Sequence, residues 1–170
     1  MNRSLKIIIT GPFSAGKTKF IKTISDIDVV STERKITQRE KGMKAQTTVA
    51  MDYGRVALGE DILHLNGTPG QARFDFMWDI LTREMHGFVM LADSANPDSF
   101  TDTRELIGLF TRAHGVPYVI AANKQDADGA VPPAKLRRAL GVSAETLIMP
   151  CIASRKTSVK QVLAQLVELL

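Results

Sequence analysis

Apolar positions along this chain fall into two alternating patterns. Leu5-Lys6-Ile7-Ile8-Ile9-Thr10, Phe88 to Ala92 and Tyr118 to Ala122 are nearly continuous apolar runs, as expected of parallel strands covered on both faces. Thr48 to Leu58 alternates loosely, with Val49, Met51 and Tyr53 on one face. Asp61 to Leu65 follows a short Gly59-Glu60 turn, so the pair is predicted as an antiparallel hairpin. A shorter strand is predicted at Leu147 to Cys151.

Helical spacing fills the gaps. It covers Phe20, Ile21, Ile24 and Ile27, then about Ala72 to Met85. It returns from Ser99 to His114, with Leu106, Phe110 and Ala113 on one face. Pro132-Pro133 opens a short helix that Gly141 closes, and Ser158 to Leu170 carries Val159, Val162, Leu163 and Leu166 at helical intervals. Strands alternating with helices predict an α/β fold of three layers. Its sheet is mostly parallel, with one antiparallel strand at an edge and helices on both faces. Binding sites in such sheets lie at the carboxyl ends of the strands.

Composition adds bounds. A chain of 170 residues suits a single domain, and 44% hydrophobic with 24% charged residues is ordinary for a soluble protein. Cys151 is the only cysteine, so no internal disulfide forms, and a cytoplasmic location is expected. Asn2 is not the glycine of a myristoylation signal, Met1 to Ser4 run straight into a strand, and Val167 to Leu170 hold no prenylatable cysteine. The expectation is a protein without a direct lipid anchor. The net charge of +4 is uneven, since Arg34, Lys35, Arg39, Lys41 and Lys44 face only Glu40. The expected role is a solvated loop, with nucleic acid an unlikely partner in the absence of any RNA-binding appendage.

The chemistry concentrates first in Gly11-Pro12-Phe13-Ser14-Ala15-Gly16-Lys17-Thr18, which fits G-x-x-x-x-G-K-[ST] between a strand and a helix. Gly11 and Gly16 allow close backbone approach, so the N–H groups through Phe13, Ser14, Ala15 and Gly16 form an anion-binding nest at the helix N-terminus. Lys17 supplies charge to the outer phosphates and Thr18 a hydroxyl for magnesium.

Asn123-Lys124-Gln125-Asp126, after the Tyr118–Ala122 strand, fits N-K-x-D and selects the base. A carboxylate at Asp126 accepts hydrogen bonds from guanine N1–H and the exocyclic amine; adenine leaves it unpaired. A site built to bond such groups rejects a ligand lacking them by about 10⁴–10⁵. Asn123 is expected to tie this loop to the phosphate loop, and the Lys124 stem to cover the purine. Ala153-Ser154 is placed to offer a backbone N–H, from Ala153, to guanine O6, or is a plain strand-to-helix turn.

With these motifs in order, the sequence resembles the Ras-like small GTPases over nearly its whole length, with the Arf and prokaryotic branches closest. The resemblance implies a P-loop NTPase fold, GTP or GDP as ligand, and Mg2+. Thr48 matches the switch I threonine that binds magnesium, with Thr47 as a rival whose distance to switch II agrees less well. Thr68-Pro69-Gly70-Gln71 matches switch II, where Gly70 offers its N–H to the γ-phosphate and Gln71 orients the attacking water. An effector and an activating or exchange protein are implied, with a roadblock-fold regulator expected by family analogy alone.

Three departures change the expectation. The family's switch II aspartate falls on Gly67. If Gly59-Glu60 is a two-residue turn, Leu58 pairs with Asp61, and the same register sets Asp52 opposite Gly67, so Asp52 either supplies the missing carboxylate or is an exposed edge-strand aspartate. Phe13 stands where a ring beside the γ-phosphate crowds an incoming arginine, and no arginine directly precedes Thr48. Slow hydrolysis is therefore expected, with a non-catalytic nucleotide-binding scaffold as the alternative. Phe74, Met77, Trp78 and Leu81 form a core stripe, with Phe76 off it as a candidate partner anchor. His64, His86 and His114 are expected to be structural or surface residues, and Cys151 a small buried apolar one.

Overall fold

Alternation along the first strand builds the two cores. In the computed structural model, which describes residues 2–40, 43–68 and 81–170, strand β1 (Ser4–Thr10) turns Leu5, Ile7 and Ile9 to one face of a sheet and Ile8 to the other. The first face is covered by α1 (Lys17–Ile24) and by a helix at Lys156–Glu168. The second is covered by α2 (Phe100–Ala113) and α3 (Pro133–Leu140), so the Lys156–Glu168 helix is α4.

Among the described residues, seven strands form the sheet. Besides β1 they are β2 (Val30–Glu40), β3 (Met43–Leu58), β4 (Asp61–Gly67), β5 (Gly87–Asp93), β6 (Tyr118–Asn123) and β7 (Ile148–Pro150), in the spatial order β2-β3-β4-β1-β5-β6-β7. Only β3 runs against the rest, pairing antiparallel with both β2 and β4. The mostly parallel, doubly covered architecture is the one expected. A strand that the sequence pattern missed, β2, lies outside the antiparallel one.

Several boundaries also differ from expectation. Helix α1 ends at Ile24, where Ser25 leaves the helix in extended geometry, so Ile27 lies beyond it. The hairpin begins at Met43 rather than Thr48. The expected helix over Ala72 to Met85 falls almost wholly outside the described residues, and Met85 itself is outside any helix. Elsewhere the turn chemistry agrees: Pro133 opens α3 and Gly141, at φ +63°, caps it with its N–H on Arg138 O.

Registry with β1 brings the functional segments together. Ile9 pairs with Gly67 on one side and Val89 on the other, while Asp93 pairs with Asn123. The strand ends that carry the G-x-x-x-x-G-K-T loop, the Gly67–Thr68 segment and the N-K-x-D turn therefore open on one edge of the sheet.

Candidate nucleotide site

The phosphate loop closes on itself before any ligand is considered. Ala15 N–H donates to Pro12 O (3.1 Å), Ser14 takes a left-handed φ of +65°, and Gly16 one of +106° at the N-cap of α1. No side chain caps that helix, so its first N–H groups face the loop's interior. A Cβ on Gly11 would stand 2.5 Å from Leu91 O, and one on Gly16 2.5 Å from Asn123 Nδ2. Both glycines are demanded by packing as well as by φ.

Lys17 folds back into the nest. Its Nζ donates to Gly11 O (2.6 Å) and Pro12 O (3.0 Å), positions its charge would leave for a phosphate. Burial pushes its ammonium down to about 8, and the nearby Asp52 charge offsets part of that shift.

The base loop is held by side chains reaching across the site. Asn123 Nδ2 donates to Ala15 O (2.9 Å), and its Oδ1 accepts the Ala153 N–H (2.9 Å), so one buried amide joins three loops. The Ala153 N–H expected at guanine O6 is thus committed to Asn123, and the next residue, Ser154, is exposed. Lys124, itself at φ +63°, donates to Ser14 O (3.0 Å) and to Asp93 Oδ2 (2.7 Å). Asp93 belongs to none of the sequence motifs. Its signal was an acid ending a fully apolar strand, where burial is costly without a cation. Asp126 is exposed in the turn after β6.

Between the loop and the hairpin lies a cavity of about 600 Å³ lined by Phe13, the 14–19 segment, Lys22, Asp52, Gly67 and Thr68. Leu58 pairs with Asp61 and Tyr53 with Asn66, the register that sets Asp52 against Gly67. A Cβ on Gly67 would come within 3.2 Å of Ile21 Cδ1 and 3.5 Å of Asp52 Cβ. Asp52 reaches over this gap: Thr18 Oγ1 donates to its Oδ2 at 2.5 Å, and Ser31 Oγ to its Oδ1 at 2.8 Å. Hydroxyl and carboxylate oxygens so placed beside the phosphate loop are the hard donors magnesium takes, usually one or two from protein with phosphates and water completing the shell. No cluster of three or more His, Cys, Asp and Glu occurs among the described residues.

Not every expected residue converges. Thr48 sits within the β2–β3 ladder opposite Lys35. Along that strand it lies four residues, about 14 Å, from Asp52. Gly70, Gln71, Phe74, Phe76, Met77 and Trp78 lie outside the described residues. Phe13 is 69% exposed at the cavity's rim. Cys151 is buried, which pushes its thiol up to about 11. His64 bonds Ser4 Oγ and the Tyr53 hydroxyl on the sheet, away from the cavity lining. Among the described residues no helix is long and apolar enough to cross a membrane.

Comparison with known proteins places this geometry in context. Residues 26–170 match the family described as "Conserved hypothetical ATP binding protein". The chain is 30% identical over 149 residues to the mutual gliding-motility protein MglA of Myxococcus xanthus, covering 79% of this chain and 74% of that one. It is 29% identical over 128 residues to ADP-ribosylation factor-related protein 1 of Rattus norvegicus, covering 72% of this chain but only 60% of the relative's length. Among solved structures, the Arl6 BBS3 small GTPase of Trypanosoma brucei with the bound analogue GppNp superposes with a TM-score of 0.74. That match has 18% identity and covers 97% and 96% of the two chains.

Proposed function

The chain belongs to the matched nucleotide-binding family and, with its relatives, to the Ras-like small GTPases of the Arf-like kind; from that premise we propose that it is a GTP-binding switch that slowly hydrolyses GTP to GDP and phosphate. One observation carries the proposal. Asn123 and Lys124 lock the base loop to the backbone of the phosphate loop at Ala15 and Ser14, so one rigid frame measures the distance from base to phosphates.

Within that frame each residue has a role. Lys17 exchanges the Gly11 and Pro12 carbonyls for phosphate oxygens, joined by the loop N–H groups and the α1 N-terminus. Thr18 and Asp52 hold magnesium, which when bound neutralises charge on the outer phosphates. Asp126 accepts from guanine N1–H and the amine, and the Ser154 amide serves O6. Gln71 orients the attacking water and Gly70 offers its N–H to the γ-phosphate. Thr48 joins the metal only once the outer β2–β3 ladder opens. Nucleotide state would thereby change the hairpin and switch II together, the surfaces an effector or an activating partner would sense.

Competition between GTP and ATP tests the base assignment, and with it the ATP-binding description of the matched family. The expected result is a preference for GTP of about 10⁴ or more, collapsing in Asp126→Ala. Wild-type protein that binds ATP as tightly as GTP would overturn it. A second reading, a nucleotide-binding scaffold with little catalysis, draws on the absent carboxylate at Gly67 and the exposed Phe13 ring at the cavity rim.

A further inference from the structure

Moving the carboxylate from β4 to β3 has a structural consequence. A side chain at position 67 would be flanked by β1 on one side and β3 on the other. Asp52 stands on β3, one strand from the sheet margin, and only β2 remains on its outer side. The terminal torsion of an aspartate is broad and roughly two-fold, so its position does not settle which oxygen faces the cavity. Something on β2 has to settle it.

Ser31 does so. It pairs directly with Asp52 in the β2–β3 register, and its Oγ donates to Asp52 Oδ1 at 2.8 Å while Thr18 Oγ1 meets Oδ2 at 2.5 Å. The two oxygens thus have separate duties: Oδ1 is anchored to the edge strand, and Oδ2 is aimed at the hydroxyl that follows Lys17. We propose that Ser31 is a positioning residue for the metal site, fixing the Asp52 carboxylate so that Oδ2 faces the magnesium position. The inference rests on the assignment of Asp52 above and extends it by one shell. Outer partners of this kind typically contribute about 10–100-fold to metal affinity. Ser31 is also the second residue of β2, so the same bond ties metal occupancy to the base of the switch hairpin.

The test is a magnesium titration of the full chain loaded with fluorescent GDP, reading the free Mg2+ concentration at half-maximal nucleotide release. Ser31→Ala is expected to raise that midpoint about tenfold. Its GDP release in excess EDTA should match wild type, because the metal is then absent from both. Ser31→Thr keeps the hydroxyl on a strand-favouring residue and should restore the wild-type midpoint. Asp52→Asn should shift the midpoint further than Ser31→Ala. A wild-type midpoint in Ser31→Ala beside a shifted Asp52→Asn would overturn the role of Ser31 alone. A wild-type midpoint in Asp52→Asn would overturn the Asp52 assignment itself. Equal acceleration of release by Ser31→Ala with and without magnesium would mark Ser31 as a structural residue only.

Discussion

Thr18 Oγ1 and Asp52 Oδ2 stand 2.5 Å apart, joining helix α1 to strand β3 across 34 positions of sequence. A Cβ at position 67 would lie 3.5 Å from Asp52 Cβ, so a carboxylate there would stand beside that of Asp52. The two carboxylates are expected to act as alternatives. Gly67→Asp alone should lower magnesium affinity by crowding like charges and pressing on Ile21, whereas Gly67→Asp with Asp52→Ala should recover most of it. Magnesium titrations of the four proteins in this double-mutant cycle check the coupling. Additive effects would argue that the two positions serve different purposes.

Lys17 gives the site a pH dependence of two opposite signs. Its ammonium titrates near 8 in the ligand-free fold, against an ordinary value of 10.5 that the unfolded chain keeps. Between those values the unfolded chain binds the extra proton, so stability of the nucleotide-free protein rises with pH above about 8. Phosphates hold that proton on, so nucleotide binding must take one up in the same range. GTP affinity should then fall, approaching about tenfold per pH unit. Thermal unfolding and GTP titrations from pH 7 to 10 should diverge in this way.

Gly16→Ala should disconnect the base loop from the phosphate loop. The new Cβ would meet Asn123 Nδ2 at 2.5 Å, and the residue would still need φ +106°. Strain of this kind costs about 1–3 kcal/mol. The expected outcome is a stability loss of about that size together with loss of nucleotide binding, read by thermal unfolding and fluorescent GDP titration.

Asp93 should matter to nucleotide retention although it is not expected to touch the nucleotide. It is 8% exposed and holds Lys124 Nζ at 2.7 Å. Asp93→Ala frees Lys124 from that anchor, and a hydrogen bond to a charged group is worth about 1.5–3 kcal/mol. GDP dissociation should accelerate about tenfold or more, with Asp93→Asn showing a smaller change because it keeps an acceptor.

The parts of this fold that were legible from sequence are those where burial dictates residue type. Ile7, Ile8 and Ile9, Phe88 to Ala92 and Tyr118 to Ala122 are covered on both faces, so their strands announce themselves. Turn length alone sets Asp52 opposite Gly67, because a two-residue turn at Gly59-Glu60 fixes every later pair. Strand β2 was not legible. Edge strands need only one backbone partner and follow no core pattern, so a charged run such as Arg34, Lys35 and Arg39 reads as a loop. Ser31 and Asp93 were missed for another reason: each works through one long-range hydrogen bond, which leaves no periodic trace.

Single-turnover hydrolysis of GTP by nucleotide-free protein in excess, with and without magnesium and alongside Gln71→Ala, tests the switch most directly. The account predicts slow release of phosphate that requires magnesium and disappears in Gln71→Ala. Tight GTP binding with no phosphate released, unaltered by that substitution, would contradict it and leave a nucleotide-bound scaffold in its place.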